Sequence, residues 1–285
     1  MFGRPGRLTK REVGFAGFPF FIINMNIKIK KSGMEGPIIA IVGCLHGDEL
    51  IGQRIISRLN RLKIKKGVLL TIIANPEAIK AKKRFIDSDL NRSFPGRPRG
   101  NREERIAYRL TKILKQCDFI VDLHSTTTDT KSLVIATKLN KNILGVIGAF
   151  NPKRVALMSK KFSAKSMSYN FKACLSFEYG RDDAPEAFKR TLRDVLVLLS
   201  YFGLIDKKID VGKRKTEFYK IIGTLVKKEC FSLMGVKNFK LVKKGQVVAG
   251  RENEIIKAKK DFYPILFGER AYKDIFGFTA KKYYF

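Results

Sequence analysis

A chain of 285 residues that is 45% hydrophobic can bury the core of one large α/β domain, or of one domain with a small appendage. Its 58 lysines and arginines outnumber 26 acidic residues, a formal net charge of +32. No run reaches the ~18 apolar residues of a membrane span. The basic residues lie in short scattered groups (28–31, 61–66, 80–84 and 257–260), without an RNA-recognition aromatic motif or zinc-finger spacing. The charge therefore reads as a lysine-rich surface that attracts anions, and does not favour a nucleic-acid partner.

The chain opens with Arg4, Arg7, Lys10 and Arg11 ahead of an apolar stretch from Phe15 to Ile23. Gly17 and Pro19 interrupt that stretch, and no small-x-small cleavage signal follows it, so it reads as folded protein rather than a secretory leader. The alternation that continues through Ile27 and Ile29 predicts a strand. Cys44, Cys117, Cys174 and Cys230 are widely spread with no Cys-x-x-Cys, which suits small core residues in a reducing, cytoplasmic compartment.

Pro37 to Gly43 is a β-branched apolar run, the pattern of a buried strand, and Gly43 with Gly47 marks the turn that ends it. Apolar residues from Leu50 to Leu62 recur at helical spacing, so a helix is predicted to begin near Asp48. His46 and Glu49 then sit where a strand gives way to a helix, the edge at which open α/β sheets bind ligands. Gly67 to Ala74 predicts a second buried strand, and Asn75-Pro76 the capped start of a short helix. Residues 84–99 form a loop rich in Arg, Pro and Gly, unusually charged for a connection between buried elements.

An amphipathic helix is predicted over Asn101 to Lys115, followed by a strand over Cys117 to Leu123 that delivers His124. A turn follows at Ser125 to Thr128, then a strand over Lys131 to Thr137. Residues 141–172 show no dominant period. Ala173 to Gly180 reads as a strand ending in Glu178, and Pro185 to Phe202 as a long helix stopped by Gly203. Beyond residue 206 the texture changes to short strand-like runs: Phe218 to Val226, Phe239 to Val242, Gln246 to Ala249 and Phe262 to Phe267. The expectation is a largely parallel mixed sheet flanked by helices over 1–206, with a small β-rich C-terminal domain over 207–285 that ends in an aromatic tail.

The only two histidines of the chain, His46 and His124, both follow strand runs, and Glu49 lies three residues beyond the first. Either motif alone reads as a capped helix start with a hydrogen-bonded histidine. Together, two histidines and a carboxylate with a fourth position for water suit a catalytic zinc site. Such a site needs a second carboxylate as proton acceptor, and Glu178 at a strand end is the candidate, a strand-terminal residue at the surface being the alternative.

These motifs carry a resemblance. His46-Gly-Asp-Glu49, Asn75-Pro76, the run from Arg84 to Arg92, Asp122-Leu-His124 and Glu178-Tyr-Gly180 fall in the order seen in the succinylglutamate desuccinylase/aspartoacylase family. That family is a branch of the zinc-carboxypeptidase-like metallohydrolases. The resemblance implies one zinc per chain held by His46, Glu49 and His124, with Glu178 as general base. It also implies that Arg84 stabilises the oxyanion, that Asn91 and Arg92 hold the substrate's carboxylate, and that Asp87 and Asp89 orient these groups or stabilise the loop. Glu269-Arg-Ala-Tyr272 resembles the family's Glu-x-x-Tyr, whose tyrosine reaches the active site; a packing aromatic is the alternative for Tyr272. The chain departs from aspartoacylases near Ser168, where they carry a further arginine. Here Lys165, Lys172 and Arg154 are the nearest cations.

The expected activity is hydrolysis of a linear amide in a small anionic N-acyl amino acid, by a chain that could form a homo-oligomer. Two alternatives stand beside it: a zinc carboxypeptidase acting on a peptide, and a basic nucleic-acid-binding protein on a hydrolase fold.

Overall fold

The structure, a computed structural model, describes residues 25–128, 130–212, 215–269 and 271–284. The basic N-terminal stretch through Ile23, read above as folded protein, and Arg270 lie outside them. The first half runs β1 (Asn26–Lys31), β2 (Ile38–Gly43), α1 (Ile51–Leu59), β3 (Val68–Ile73), α2 (Pro76–Lys80), a 3-10 turn (Leu90–Arg92), α3 (Arg102–Leu114) and β4 (Phe119–His124). Then come β5 (Leu133–Ala136), α4 (Lys141–Phe150), β6 (Arg154–Leu157), α5 (Lys160–Ser163), α6 (Met167–Asn170), β7 (Cys174–Glu178) and α7 (Pro185–Tyr201). The C-terminal part holds β8 (Glu217–Val226), β9 (Ser232–Leu233), β10 (Val247–Arg251), β11 (Glu254–Lys257), β12 (Tyr263–Ile265) and β13 (Ile275–Tyr283).

Ten strands form one mixed sheet in the order β1-β3-β2-β4-β7-β5-β6-β8-β13-β12. The centre, β3-β2-β4-β7, is parallel, while β1, β5 and the C-terminal strands bring antiparallel pairings. Every residue of β2 and β4 is buried, as expected of parallel strands covered on both faces. Alternate side chains divide between two cores. Ile39, Ile41, Val121 and Leu175 pack under α1, α4 and α7, whereas Ala40, Val42, Leu70 and Ile120 pack against α3 and Met167. The β2–α1 turn fits only without side chains at its glycines. A Cβ on Gly43 would stand 2.7 Å from the Cα of Gly52, and one on Gly47 would run into the backbone of Ala78.

Two features differ from the sequence expectation. The first helix begins at Ile51 rather than near Asp48, with Leu50 at the N-cap position and the Glu49 side chain turned into the site. The aromatic tail is a nine-residue strand, β13, paired with both β8 and β12 within the main sheet. Residues 217–226, 263–265 and 275–283 thus extend the sheet, and β9, β10 and β11 form a separate three-stranded sheet. That small sheet lies over its own core of Phe231, Val248, Phe262, Phe267 and Phe276. Residues 141–172 resolve into the ten-residue α4 and three four-residue elements, β6, α5 and α6, the last three too short to show a period.

Candidate active site

Strand order builds the site. β2, β4 and β7 are neighbours, with Gly43 level with Leu123 and His124 level with Glu178. His46 lies three residues past the end of β2, so two histidines and Glu178 meet at the carboxyl edge of three parallel strands.

Glu49 holds the cluster together. Its Oε1 lies 2.7 Å from His46 Nδ1, and its Oε2 lies 2.8 Å from His124 Nδ1. The outer nitrogens face carboxylates as well. His46 Nε2 is 3.0 Å from Asp89 Oδ1, and His124 Nε2 is 2.7 Å from Asp122 Oδ2, which also accepts the Ser176 hydroxyl at 3.1 Å. All three of His46, Glu49 and His124 are buried, and one ligand atom from each lies within 4.8 Å of the others.

That donor set fits a divalent cation. Asp122 at Nε2 of His124 favours the tautomer that leaves its Nδ1 free to bind a cation, while His46 Nε2 has both Asp89 Oδ1 and the Arg84 guanidinium at 3.0 Å. Two imidazoles, one carboxylate and room for water form an open zinc site rather than a closed structural one. The charges agree. Burial alone would lower the pKa of His46 and His124, but Glu49 with Asp89, and Asp122 with Glu49, outweigh it and hold both above the ordinary value. Burial would raise the Glu49 pKa, yet the two imidazoles hold it well below the carboxylate range.

Glu178 behaves differently. Desolvation pushes its carboxyl up to about 7, opposed by His124 and reinforced by Glu49 and Asp122. A carboxyl titrating there suits a proton shuttle near neutrality.

The arginine loop arches over the cluster. Gly47 donates its N–H to the Arg84 carbonyl at 3.0 Å, and Arg84 Nη1 reaches Glu49 Oε1 at 3.0 Å. Arg84 Nε and Nη2 each lie 3.4 Å from Asp89 Oδ2. Asp89 also caps the 3-10 turn by accepting the Asn91 N–H at 2.8 Å. Asn91 leans on His124 and accepts the Met167 N–H at 2.9 Å. Arg92 Nη1 donates to the Asn91 carbonyl at 2.9 Å. The two aspartates of the loop separate in role: Asp89 touches His46 and Arg84, while Asp87 accepts the Arg102 N–H and so fixes the start of α3.

These residues line an inner cavity of about 90 Å3, closed by Thr126, Thr127, Thr128, Leu266, Ala271 and Tyr272. An outer cavity of about 510 Å3 shares Glu49, Arg84, Arg92 and Tyr272 with it. His46, Glu49, Arg84, Asn91, Arg92, His124, Glu178 and Tyr272 thus border one space, and Asp87 and Asp89 stand behind it. Tyr272 also packs edge-on against Phe278, and its burial beside Glu178 raises the phenol pKa, so the hydroxyl stays protonated.

The alternative cations do not join them. Ser168 is buried on α6, with its hydroxyl 3.2 Å from that of Ser166. Lys165 and Lys172 are exposed, and Arg154 pairs with Glu217 and stacks 4.0 Å over Phe239. Among the described residues, Arg84 and Arg92 are the cations lining the inner cavity.

Comparisons with known proteins agree with this geometry. The sequence profile of the succinylglutamate desuccinylase/aspartoacylase catalytic domain matches residues 35–180, about half of the chain, and the chain belongs to that family. A stretch of 107 residues is 37% identical to the N-alpha-acetyl-L-2,4-diaminobutyric acid deacetylase of Halomonas elongata, covering 35% of this chain and 31% of that protein. The chain thus spans only about a third of that relative. A rat N-acyl-aromatic-L-amino acid amidohydrolase is 25% identical over 219 residues, 66% of this chain and 68% of the relative. Among solved structures, product-bound EutE (DoeB) from Ruegeria pomeroyi aligns with a TM-score of 0.74 at 21% identity, over 89% of this chain and 87% of that one. Murine aminoacylase 3 aligns with a TM-score of 0.73 at 20% identity, over 87% and 96% of the two chains. The shared fold is thereby established.

Sequence reasoning passed over Glu103. It is fully buried on α3, where helical spacing gave no reason to expect a carboxylate inside. It accepts the N–H groups of Ile86, Asp87 and Ser88 at 2.8, 3.0 and 3.2 Å, and the Asn75 amide at 3.1 Å. One carboxylate so shapes the loop between Arg84 and Asp89. Glu103→Ala strands those donors and is expected to lower stability by about 2 kcal/mol, read from the urea midpoint. An unchanged midpoint would show that the loop holds its own shape.

Proposed function

We propose that the protein is a zinc-dependent amidohydrolase that removes the acyl group from an N-acyl amino acid or a similar small anionic amide. The observation that carries this reading is the Glu49 carboxylate between two inward-facing imidazoles, with Glu178 on the adjoining strand end and two arginines on the same cavity. The similarity to amidohydrolases and deacetylases supports it. In this reading His46, Glu49 and His124 hold one zinc per chain, which when bound would polarise the amide carbonyl and acidify a water molecule.

The chain's own residues supply the rest. Glu178 takes the proton of the attacking water on its carboxylate and delivers it to the leaving nitrogen. Arg84, fixed beside Glu49 by Asp89, offers N–H donors to the oxygen on which negative charge develops, and the protonated Tyr272 hydroxyl is a further donor. Arg92 and the Asn91 side chain take the substrate's carboxylate, for which a planar guanidinium fork is suited. The small inner cavity favours a compact substrate over the peptide of a carboxypeptidase, and the assembled site favours an enzyme over a nucleic-acid-binding protein. We further propose that 1–206 and 207–285 act as catalytic and capping units, with Tyr272 contributed by the second. No helix among the described residues is long and apolar enough to cross a membrane, and the four unpaired cysteines support a cytoplasmic location.

Metal content comes first. Wild-type protein is expected to bind one zinc per chain, and His124→Ala to lose most of it in elemental analysis. Full retention of zinc in that variant would refute the ligand set.

Glu178→Gln preserves shape but removes the proton acceptor. Zinc content should persist while kcat falls ~10²-fold or more. The base works only when ionised, so kcat/KM should decline as pH falls through its pKa. Because burial raises that pKa and a bound cation opposes the rise, the acid-limb midpoint should lie between 4.5 and about 7. A midpoint below that interval, or loss of zinc in Glu178→Gln, contradicts the role.

Substrate breadth follows from the cavity wall. Among the described residues, the wall beyond Arg84 and Arg92 is formed by threonines, Leu266 and Ala271, with no third guanidinium that a neutral side chain would leave unpaired. N-acetylaspartate should therefore be preferred over N-acetylalanine or N-acetylmethionine by less than ~10²-fold in kcat/KM. A preference of ~10⁴-fold would mean that another cation has taken the missing arginine's place.

A further inference from the structure

Asp182 lies on the turn between β7 and α7, four residues beyond Glu178. Its side chain reaches two other loops. Oδ2 accepts the Leu50 N–H at 2.9 Å, and Oδ1 accepts the Ser125 hydroxyl at 2.6 Å. Its carbonyl accepts Arg54 Nη1 at 2.8 Å. Leu50 directly follows Glu49, and Ser125 directly follows His124.

The connection is unusual because α1 has no cap from its own sequence. Leu50 occupies the N-cap position and offers no side-chain hydrogen bond. Asp182 fills that function from 132 residues away, with a negative charge at the end of the helix that favours one. Ser125 completes a ring, since its N–H donates to Glu49 Oε2 at 3.2 Å while its hydroxyl donates to Asp182. Asp182 borders the outer cavity but not the inner one, so it is not placed to touch the scissile group.

We propose that Asp182 is a positioning residue whose carboxylate fixes the loops bearing Glu49 and His124 relative to the strand end bearing Glu178. The proposal rests on the zinc amidohydrolase reading above. It acts through two neighbours: the helix start that aims Glu49, and the Ser125 turn that follows His124. Without it, the Ser125 N–H to Glu49, the Thr126 N–H to the Gly180 carbonyl and the sheet pairing still join the three strand-end loops. The Leu50 N–H and the Ser125 hydroxyl lose their shared acceptor, however, and the distance between the metal ligands and the base gains freedom. Sub-ångström drift matters at such a site, because misplacing a reacting group by about 1 Å can cost ~10²-fold in rate.

The test uses the full-length chain and two readouts. Zinc affinity is measured by competition with a chromophoric chelator, and kcat and KM are measured on N-acetylalanine. Asp182→Ala should weaken zinc binding roughly tenfold and lower kcat roughly tenfold or more, with KM moved less than about threefold. Asp182→Asn should recover most of both, since its Oδ1 can still accept the Leu50 N–H while Nδ2 donates to the Ser125 oxygen. Ser125→Ala should move both readouts the same way by less. Adding it to Asp182→Ala should cost less than the sum of the two. Asp183→Ala, altering a neighbour paired only with Arg181, should behave as wild type. A folded Asp182→Ala with wild-type zinc affinity and kcat overturns the assignment, whatever its melting temperature. If that variant does not fold, wild-type behaviour of Ser125→Ala overturns it instead. A wild-type chain that binds no zinc or hydrolyses no N-acyl amino acid removes the functional reading, and this assignment with it.

Discussion

The buried carboxylate of Glu49 is the constraint around which the site is arranged. A lone carboxylate taken out of water is costly, and it is tolerated only where positive charge or N–H donors surround it. Here every quadrant is met: His46 and Arg84 on one oxygen, His124 and the Ser125 N–H on the other. Those partners come from three separate parts of the chain, so satisfying one charge organises the end of β2, the arginine loop and the end of β4 with the turn after it. Asp89 and Asp122 continue the pattern outward, each backing one histidine with a further buried or half-buried acid.

The concentration of acids in this one place contrasts with the rest of the molecule. A chain with a net charge of +32 spends several of its 26 acidic residues on Glu49, Asp89, Glu103, Asp122, Glu178 and Asp182, all at or behind the cavity. The scattered lysines raise the potential around the molecule and would draw an anionic substrate towards it. The acids close to the cavity orient imidazoles, an arginine and backbone N–H groups. Long-range attraction and short-range positioning are thus carried by different residues.

The C-terminal part contributes through sheet continuity. β8 pairs in parallel with β6, and β13 pairs along the length of β8, so the segment is fixed to the catalytic sheet before any loop reaches the cavity. From that base, Lys227 holds the carbonyls of Glu269 and Tyr272, and Asn238 bridges Thr128 to the Phe267 backbone. Tyr272 is presented to the inner cavity by this bracing, next to Leu266 and Ala271.

The central strands, the long helices and the residues at their ends were legible in the sequence by itself. Fully buried parallel strands need unbroken apolar runs, and glycines must stand where the β2–α1 turn packs against backbone. The two histidines and Glu49 could be read as a candidate metal cluster from their places after strand runs, whereas the pattern alone left Glu178 open between the site and the surface. Between 141 and 172, β6, α5 and α6 are four-residue pieces that leave no period to detect, whereas α4 carries Ile143, Val146, Ile147 and Phe150 at helical spacing and was passed over. The place of β13 was not legible either: its aromatic composition marks burial but not which sheet it joins. Only the tertiary structure decided which carboxylate serves which partner. Glu103 and Asp182 act on groups 15 or more residues away, and Asp122 joins His124 to Ser176 across a strand pair, where spacing carries no information. Their roles are set by the cost of leaving a buried donor or charge unpaired, and that cost appears only once the chain has folded.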